Sequence, residues 1–251
     1  MLEKFPDPLL LGHRGAKNYA PENTLAAFHL ALEQGAHGVE LDAKLSADGH
    51  VMVHHDATVE RTTNGKGHVS QLSLTQLREL DAGSFFAETF RGEKIPTLEE
   101  VFDEIGARAF INVELTNYST PRDALVEKTC ELVRKFKLQD RILFSSFFAS
   151  NLKQAAVSLP EVPRALLALD GWKGAWARSF GFNFGEYAAL HPYLTDVTAQ
   201  QVQRVHRLGR KINVWTVNAE ADIRRLLGWG VDGIITDDPL NAARVISGLS
   251  S

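Results

Sequence analysis

Glu40 and Asp42 stand two residues apart at the end of an apolar run, Gly38–Leu41. In an extended strand that spacing turns both carboxylates to one side. A third carboxylate, Glu114, closes another apolar run in Asn112-Val113-Glu114-Leu115-Thr116. Three carboxylates brought together repel one another and lose hydration. A hard divalent cation relieves both problems, and all-oxygen ligation suits Mg²⁺ or Ca²⁺. The alternative is that each acid pairs separately with a rim arginine.

His13 ends the first apolar run in Gly12-His13-Arg14-Gly15. The glycines allow close backbone approach, and Arg14 offers a planar fork for a phosphate or carboxylate. His55 reaches the same place by a hairpin. Asp48-Gly49 is a two-residue turn signal between Ala43–Ala47 and His50–His55,. With that dipeptide as the loop, Ala47 pairs with His50 and Asp42 lies opposite His55. Two histidines near one metal can divide general acid and general base work near neutral pH. Either could instead be structural or a metal ligand. Trp215, in Val214-Trp215-Thr216-Val217, is placed to form one wall of a pocket.

Other residues carry blander expectations. His29, His37, His50, His54, His68 and His206 are read as structural, while His191, in Leu190-His191-Pro192, stays open. Pro21-Glu22-Asn23-Thr24 is what a helix start wants, with bracing of His13 and Arg14 as its functional reading. Phe85, Phe86 and Phe90, or the loop with Trp172 and Trp176, could line an apolar groove, and core packing explains them as well. Cys130 reads as a small buried hydrophobe.

The elements that must position these groups recur as apolar runs followed by helical patterns. The runs are Leu9–Gly12, Gly38–Leu41, Ala109–Leu115, Ile142–Phe144, Arg164–Leu169, Tyr187–Leu190, Lys211–Val217 and Gly233–Thr236. Thr24–Gln34 is a helix stopped by Gly35, and Thr198 with Gln201 forms a capping box,. Eight βα units imply a closed (β/α)8 TIM barrel, an α/β fold whose strand ends carry the chemistry. An open doubly wound sheet is the rival, but no glycine-rich dinucleotide loop follows the first run. Roughly seventy residues separate the second run from the third, about twice what a simple βα unit needs. The excess, Ala43 to roughly Gly106, is a small excursion on the barrel rim, with the insertion at roughly 57–97. The chain, 1–251, is expected to be a single domain.

Composition narrows the class. The chain has 251 residues, of which 44% are hydrophobic and 23% charged, enough for one sizeable core and unlike a disordered chain,. The net charge of −4 offers no footprint for nucleic acid or for stable membrane association,. Met1 to Leu11 lacks the basic start and long apolar region of a secretory signal. With one cysteine there is no intramolecular disulfide, and a cytoplasmic location is the simplest expectation,. None of these features encodes an oligomeric state.

Taken in order, the segments resemble the glycerophosphodiester phosphodiesterase family, bacterial cytosolic type. The likeness is carried by Gly12-His13-Arg14-Gly15, Pro21-Glu22-Asn23-Thr24, Glu40-Leu41-Asp42, His55-Asp56 and Arg61-Thr62-Thr63-Asn64-Gly65. It continues through Ile95-Pro96-Thr97-Leu98, Asn112-Val113-Glu114, Trp215-Thr216-Val217-Asn218 and Asp232-Gly233-Ile234-Ile235-Thr236-Asp237. The resemblance implies a TIM barrel with an insertion after the second strand. It implies one divalent cation on Glu40, Asp42 and Glu114, an acid/base pair at His13 and His55, and Arg14 near the phosphate. The implied reaction cleaves a small-molecule glycerophosphodiester to sn-glycerol 3-phosphate and an alcohol. A lysophospholipase D-type enzyme and a non-catalytic phosphodiester-binding module are the alternatives. One departure stands out: many members carry lysine where this chain has Thr116, so a cation beside the phosphate is expected to be missing.

Overall fold

The computed structural model describes residues 4–249, so Met1 to Glu3 of the N-terminal stretch and the last two serines lie outside it. Nine strands form one sheet: β1 (Leu9–His13), β2 (Gly38–Leu45), β3 (Val51–Val53), β4 (Phe110–Leu115), β5 (Ile142–Ser146), β6 (Arg164–Ala168), β7 (Ala189–Pro192), β8 (Lys211–Val214) and β9 (Gly233–Thr236). The order is β1-β9-β8-β7-β6-β5-β4-β2-β3, and pairing of β1 with β2 closes eight parallel strands into a barrel. Each expected run supplies one barrel strand. The helices are α1 (Leu25–Glu33), α2 (Leu74–Glu79), α3 (Leu98–Ile105), α4 (Leu125–Phe136), α5 (Ala149–Ser158), α6 (Phe182–Phe184), α7 (Ala199–Arg207), α8 (Glu220–Gly228) and α9 (Pro239–Ser247).

Alternation along the strands sorts the side chains into two layers. Val39, Leu41 and Ala43 of β2 join Ile111, Val113 and Leu115 of β4 in the large core that includes buried residues of the helices. The opposite set fills the barrel. Leu9, Leu11 and Ile235 pack with Phe5, as do Leu143, Ala165 and Ala189. Fully burying a large apolar side chain stabilises by roughly 1.5–3 kcal/mol, so the barrel floor is secure without polar help. Higher on the same inner faces stand Glu40, Asp42 and Glu114.

Local signals hold with two exceptions, a capping box and a hairpin register. Thr24 caps α1 by accepting from the Ala27 backbone N–H. Thr198 accepts from the Gln201 N–H at 3.2 Å. The reciprocal half of that expected box is missing, because Gln201 Oε1 has no partner. Gly35 and Gly209 take positive φ just past their helices, as helix stops do,. The excursion has its own apolar cluster of Met52, Val59, Val69, Leu77, Ala82 and Ile95.

The hairpin register differs from expectation by one residue. Leu45 pairs with Val51, and Ser46 N–H donates to the His50 carbonyl. The loop is therefore the three residues Ala47-Asp48-Gly49, with Gly49 at φ +82°. A three-residue hairpin places glycine in the left-handed region at its last position, so it shows the same Asp-Gly dipeptide as a two-residue loop. The slip sets His54, not His55, opposite Asp42: the His54 N–H donates to the Asp42 carbonyl at 2.9 Å. A side chain is disfavoured by about 1–2 kcal/mol in the left-handed conformation. Gly49→Ala is accordingly expected to lower stability by about 1 kcal/mol, read as a lower denaturant midpoint at unchanged slope; a wild-type midpoint would refute the strained loop.

Candidate active site

Strands β1, β2 and β4 are neighbours, and their register builds the site. His13 is paired with Glu40, and Asp42 with Glu114. One ligand oxygen each from Glu40, Asp42 and Glu114 lie within 4.8 Å of one another. Burial, then Asp42, raises Glu40 and Glu114 above the usual carboxylate range. Burial also pushes Asp42 upward, but Arg14, His55 and Asn23 outweigh it and hold Asp42 low. One carboxylate is thus ionised while two resist ionisation. Such a donor set is the chemistry a hard divalent cation completes, since it favours the charged form of all three.

Each acid has a second neighbour that fixes it. The Arg14 backbone N–H donates to Glu40 Oε2 at 3.1 Å, and Arg14 Nε lies 3.3 Å from Asp42 Oδ2. Arg14 reaches this position at φ +54°. Asn23 Nδ2 donates to Asp42 Oδ2 at 2.9 Å. The Tyr118 hydroxyl donates to Glu114 Oε1 at 2.7 Å. Lys44, buried on β2, donates through Nζ to Thr116 at the end of β4.

Both expected histidines line the same cavity. His13 Nδ1 lies 2.6 Å from Asp237 Oδ1, and His55 Nδ1 lies 2.6 Å from Asp56 Oδ1. Hydrogen bonds from His13 hold Asp237 down to about 2 against the upward push of burial, and Arg61 with His55 holds Asp56 lower still. Ionised carboxylates only accept, so each Nδ1 carries the proton and each Nε2 is left for chemistry. Burial lowers His13 despite Asp237, which favours its neutral form. His55 is more open, its side chain 41% exposed. His54 is buried between Thr62 Oγ1 and the Asp56 carbonyl and is structural, as expected.

Glu22 links the two sides of the mouth. Its Oε1 accepts from Arg14 at 2.8 Å, and both its oxygens accept from Arg61, which also grips Asp56. The Pro21-Glu22-Asn23-Thr24 segment therefore divides its work: Glu22 braces Arg14, Asn23 anchors Asp42, and Thr24 caps α1. Bracing of His13, expected from this segment, comes instead from Asp237 beyond β9. Asp56, Arg61, Tyr118 and Asp237 carry no site role in the expectations from sequence. Asp56 and Tyr118 are detectable only as the residue after His55 and the residue four beyond Glu114.

The cavity measures about 680 Å³. Its polar lining includes His13, Arg14, Glu40, Lys44 and Glu114 from the β1, β2 and β4 sector, and His55 from the segment after β3. Phe147, Phe148, Leu167, Leu169, Trp215 and Ile235 supply an apolar wall from β5, β6, β8 and β9. Trp215 is in place, with Nε1 donating to the His191 carbonyl and its ring edge-on to Phe147 and Tyr193. The other expected aromatics are elsewhere: Phe85, Phe86, Phe90, Trp172 and Trp176 do not line the cavity, and Trp172 is 84% exposed. His191 is fully buried, touches Asn213, and is depressed to about 3 by burial alone, so it stays neutral inside the barrel. Cys130 is buried, its thiol pushed up to about 11, mainly by that burial.

An eight-stranded parallel barrel whose mouth gathers three carboxylates, two histidines and Arg14 is a TIM barrel with the residues of an active site at its strand ends,. Residues 13–241 match the Glycerophosphoryl diester phosphodiesterase family, and the chain belongs to that family. It is 39% identical over 232 residues to the glycerophosphodiester phosphodiesterase of Caldanaerobacter subterraneus subsp. tengcongensis, covering 92% of this chain and 94% of that protein. It is 35% identical over 242 residues to a glycerophosphodiester phosphodiesterase of Bacillus altitudinis, covering 94% and 97%. Among solved structures, an Oleispira antarctica phosphodiesterase in complex with its product sn-glycerol-3-phosphate superposes with TM-score 0.87 at 32% identity, covering 98% of both chains.

Glu22 generates a pH prediction. Arg61 and Arg14 overcome the burial that would raise Glu22, and lower it from 4.5 to about 2. A depressed folded-state carboxylate stabilises above its unfolded value and loses that contribution as pH falls toward the folded one. Glu22→Gln should therefore cost on the order of 2–3 kcal/mol at pH 7, discounted for the half-exposed Arg61. The deficit should shrink between pH 4.5 and about 2. Urea unfolding of both proteins across that range is the check; a deficit independent of pH would exclude the ion-pair account.

Proposed function

We propose that this protein is a metal-dependent hydrolase of glycerophosphodiesters, releasing sn-glycerol 3-phosphate and an alcohol. The observation that carries the reading is the carboxylate trio flanked by two histidines that each hold a carboxylate at Nδ1. Glu40, Asp42 and Glu114 would hold one divalent cation, Mg²⁺ or Ca²⁺. When bound, such a cation supplies positive charge for a phosphate oxygen and a hard partner for glycerol hydroxyls. Arg14 binds the phosphate and Trp215 forms one wall of the substrate site.

His13 and His55 move the protons. One Nε2 takes a proton from the attacking oxygen, which is water, or the glycerol 2-hydroxyl in a first step whose cyclic phosphate water then opens, while the other gives a proton to the leaving alcohol oxygen as its bond to phosphorus breaks. Asp237 and Asp56 hold the rings in the tautomer that leaves Nε2 available.

In this reading residues 1–251 work as one domain. The excursion at roughly 57–97 belongs to the rim, since Met52 of β3 packs into its cluster and also bridges to Thr97. The partner is a small molecule, and the net charge of −4 speaks against polyanionic partners,. Among the described residues no helix is long and apolar enough to cross a membrane. A cytoplasmic location is supported by the single, buried cysteine.

A second reading, lysophospholipase D-type hydrolysis, is favoured by the wall of Phe147, Phe148, Leu167 and Leu169, which suits an apolar leaving group. Turnover of glycerophosphocholine against lysophosphatidylcholine separates the two, with the former expected to be the better substrate. Higher kcat/KM on the lysolipid would reverse the assignment. A binding module without catalysis is disfavoured by the complete acid and histidine set.

Chelation should abolish turnover, and Mg²⁺ or Ca²⁺ should restore it. Glu114→Gln should weaken metal binding with the fold intact, because the apolar floor lies below it. His13→Ala and His55→Ala should each lose at least about 10²-fold in turnover at unchanged metal content. Undiminished activity in protein proved metal-free by elemental analysis would end the metal reading.

A further inference from the structure

Lys44 lines the cavity and has no part in the reaction just outlined. It follows Glu40 and Asp42 at two-residue spacing on β2, so alternation turns all three to one face,. Its surface is only 9% exposed. A buried ammonium group needs partners for its charge and its protons. Nζ donates to the Thr116 carbonyl oxygen at 3.0 Å and to Thr116 Oγ1 at 2.7 Å. The Thr116 hydroxyl spends its own proton on the Ala43 carbonyl at 2.7 Å, so toward Lys44 it can only accept. An ammonium has three N–H donors. Two are occupied, and among the described residues no carboxylate forms an ion pair with Nζ and no further acceptor takes the third. The result is a buried cation with a spare donor, on the lining of the cavity that His13, Arg14, Glu40, His55 and Glu114 share.

We propose that Lys44 is a phosphate-binding residue of this site, donating its third N–H to a non-bridging oxygen of the substrate phosphodiester and of the product phosphate. The inference rests on the phosphodiesterase reading above. It also revises what Thr116 was expected to mean. The cation absent from position 116 is supplied from the adjoining strand, and Thr116 acts as the clamp that aims it. Thr116 can do so because β2 and β4 run in register through Ala43 and Leu115, which sets Lys44 beside Thr116.

The test is sn-glycerol 3-phosphate binding to metal-loaded protein by calorimetry, with KM and kcat measured in parallel. Lys44→Gln keeps a donor for Thr116 but removes the charge. It should weaken product binding by about tenfold or more and raise KM more than it lowers kcat. Adding Thr116→Lys in that background should recover most of the affinity by returning a cation from β4. A lysine that only ties β2 to β4 would instead lower the unfolding temperature and leave product affinity unchanged, which would overturn the proposal. If Lys44→Gln does not fold, a crystal structure of the wild type with sn-glycerol 3-phosphate decides. Nζ about 2.8 Å from a phosphate oxygen supports the assignment; Nζ held by Thr116 alone refutes it. Wild-type protein that binds product through Lys44 yet hydrolyses no glycerophosphodiester would defeat the functional reading only. Normal wild-type turnover with undiminished product affinity in Lys44→Gln would defeat the Lys44 assignment only.

Discussion

Three carboxyl groups with ligand oxygens within 4.8 Å of each other are the constraint around which this barrel mouth is arranged. At that separation two like charges repel by about 3 kcal/mol at an effective dielectric constant near 20. The fold tolerates the crowding in two ways. It lets Glu40 and Glu114 stay protonated more readily than ordinary carboxyls, and it places Arg14 and Lys44 on the same lining. Three carboxylates against two cations leave one net negative charge. A divalent ion would turn that into one net positive charge, the complement of a phosphodiester monoanion. Charge balance thus connects the acid trio, the two cations and the class of ligand in one account.

The same crowding explains why so many surrounding residues are ionic. Arg14 cannot serve Asp42 and a ligand unless its own position is held, and Glu22 holds it. Glu22 in turn would be a costly buried charge without Arg61, and Arg61 carries the chain of pairs outward to Asp56 and His55. On the other flank Asp237 orients His13. Each histidine therefore ends a line of alternating charges that anchors it to the frame. Such networks fix geometry more than they add stability, because breaking one member strands its neighbours.

Much of this was legible in the sequence, for identifiable reasons. Parallel barrel strands are buried on both faces and read as apolar runs, so all eight stood out. The spacing of Glu40 and Asp42 announced itself as period two. His55 lines the cavity although the register expected to set it opposite Asp42 is off by one. Asp-Gly signals a hairpin but not whether the loop has two residues or three; glycine takes positive φ in both, and the pairing of Leu45 with Val51 separates them, with Asp48 outside the left-handed region that a two-residue type I′ loop would demand,. His55 still reaches the mouth because β3 ends at Val53, after which strict alternation no longer governs the side chains. Asp237 was opaque because its partner His13 is 224 residues away and meets it only on barrel closure. Lys44 was hidden for another reason: a lysine in a strand reads as a solvated position until its neighbour at 116 is known. Aromatic composition misled, since it does not tell which loop faces the mouth. The residues on the cavity are Phe147 and Phe148, while Trp172 and Trp176 point to solvent.

The division of the cavity into a polar and an apolar sector follows from strand order and limits how a ligand can lie. β1, β2 and β4 are contiguous in the barrel, and every ionic group of the lining comes from them or from the loops that follow them and β3. The wall opposite comes from Phe147, Phe148, Leu167, Leu169, Trp215 and Ile235, at or just beyond the ends of β5, β6, β8 and β9. A phosphodiester has one charged centre and two arms. Its centre is confined to the ionic sector, because an anion against Leu167, Leu169 and Phe148 would lose hydration without compensation. In the proposed reading, the hydroxyl-bearing glycerol arm would find its hydrogen-bonding partners in that same sector. Only the alcohol arm is free to lie along the apolar wall, where contact is area-dependent and weakly selective. Orientation of the substrate is therefore set by the segregation of polar and apolar strands rather than by any single contact, and discrimination concentrates on the half of the substrate that faces the acids.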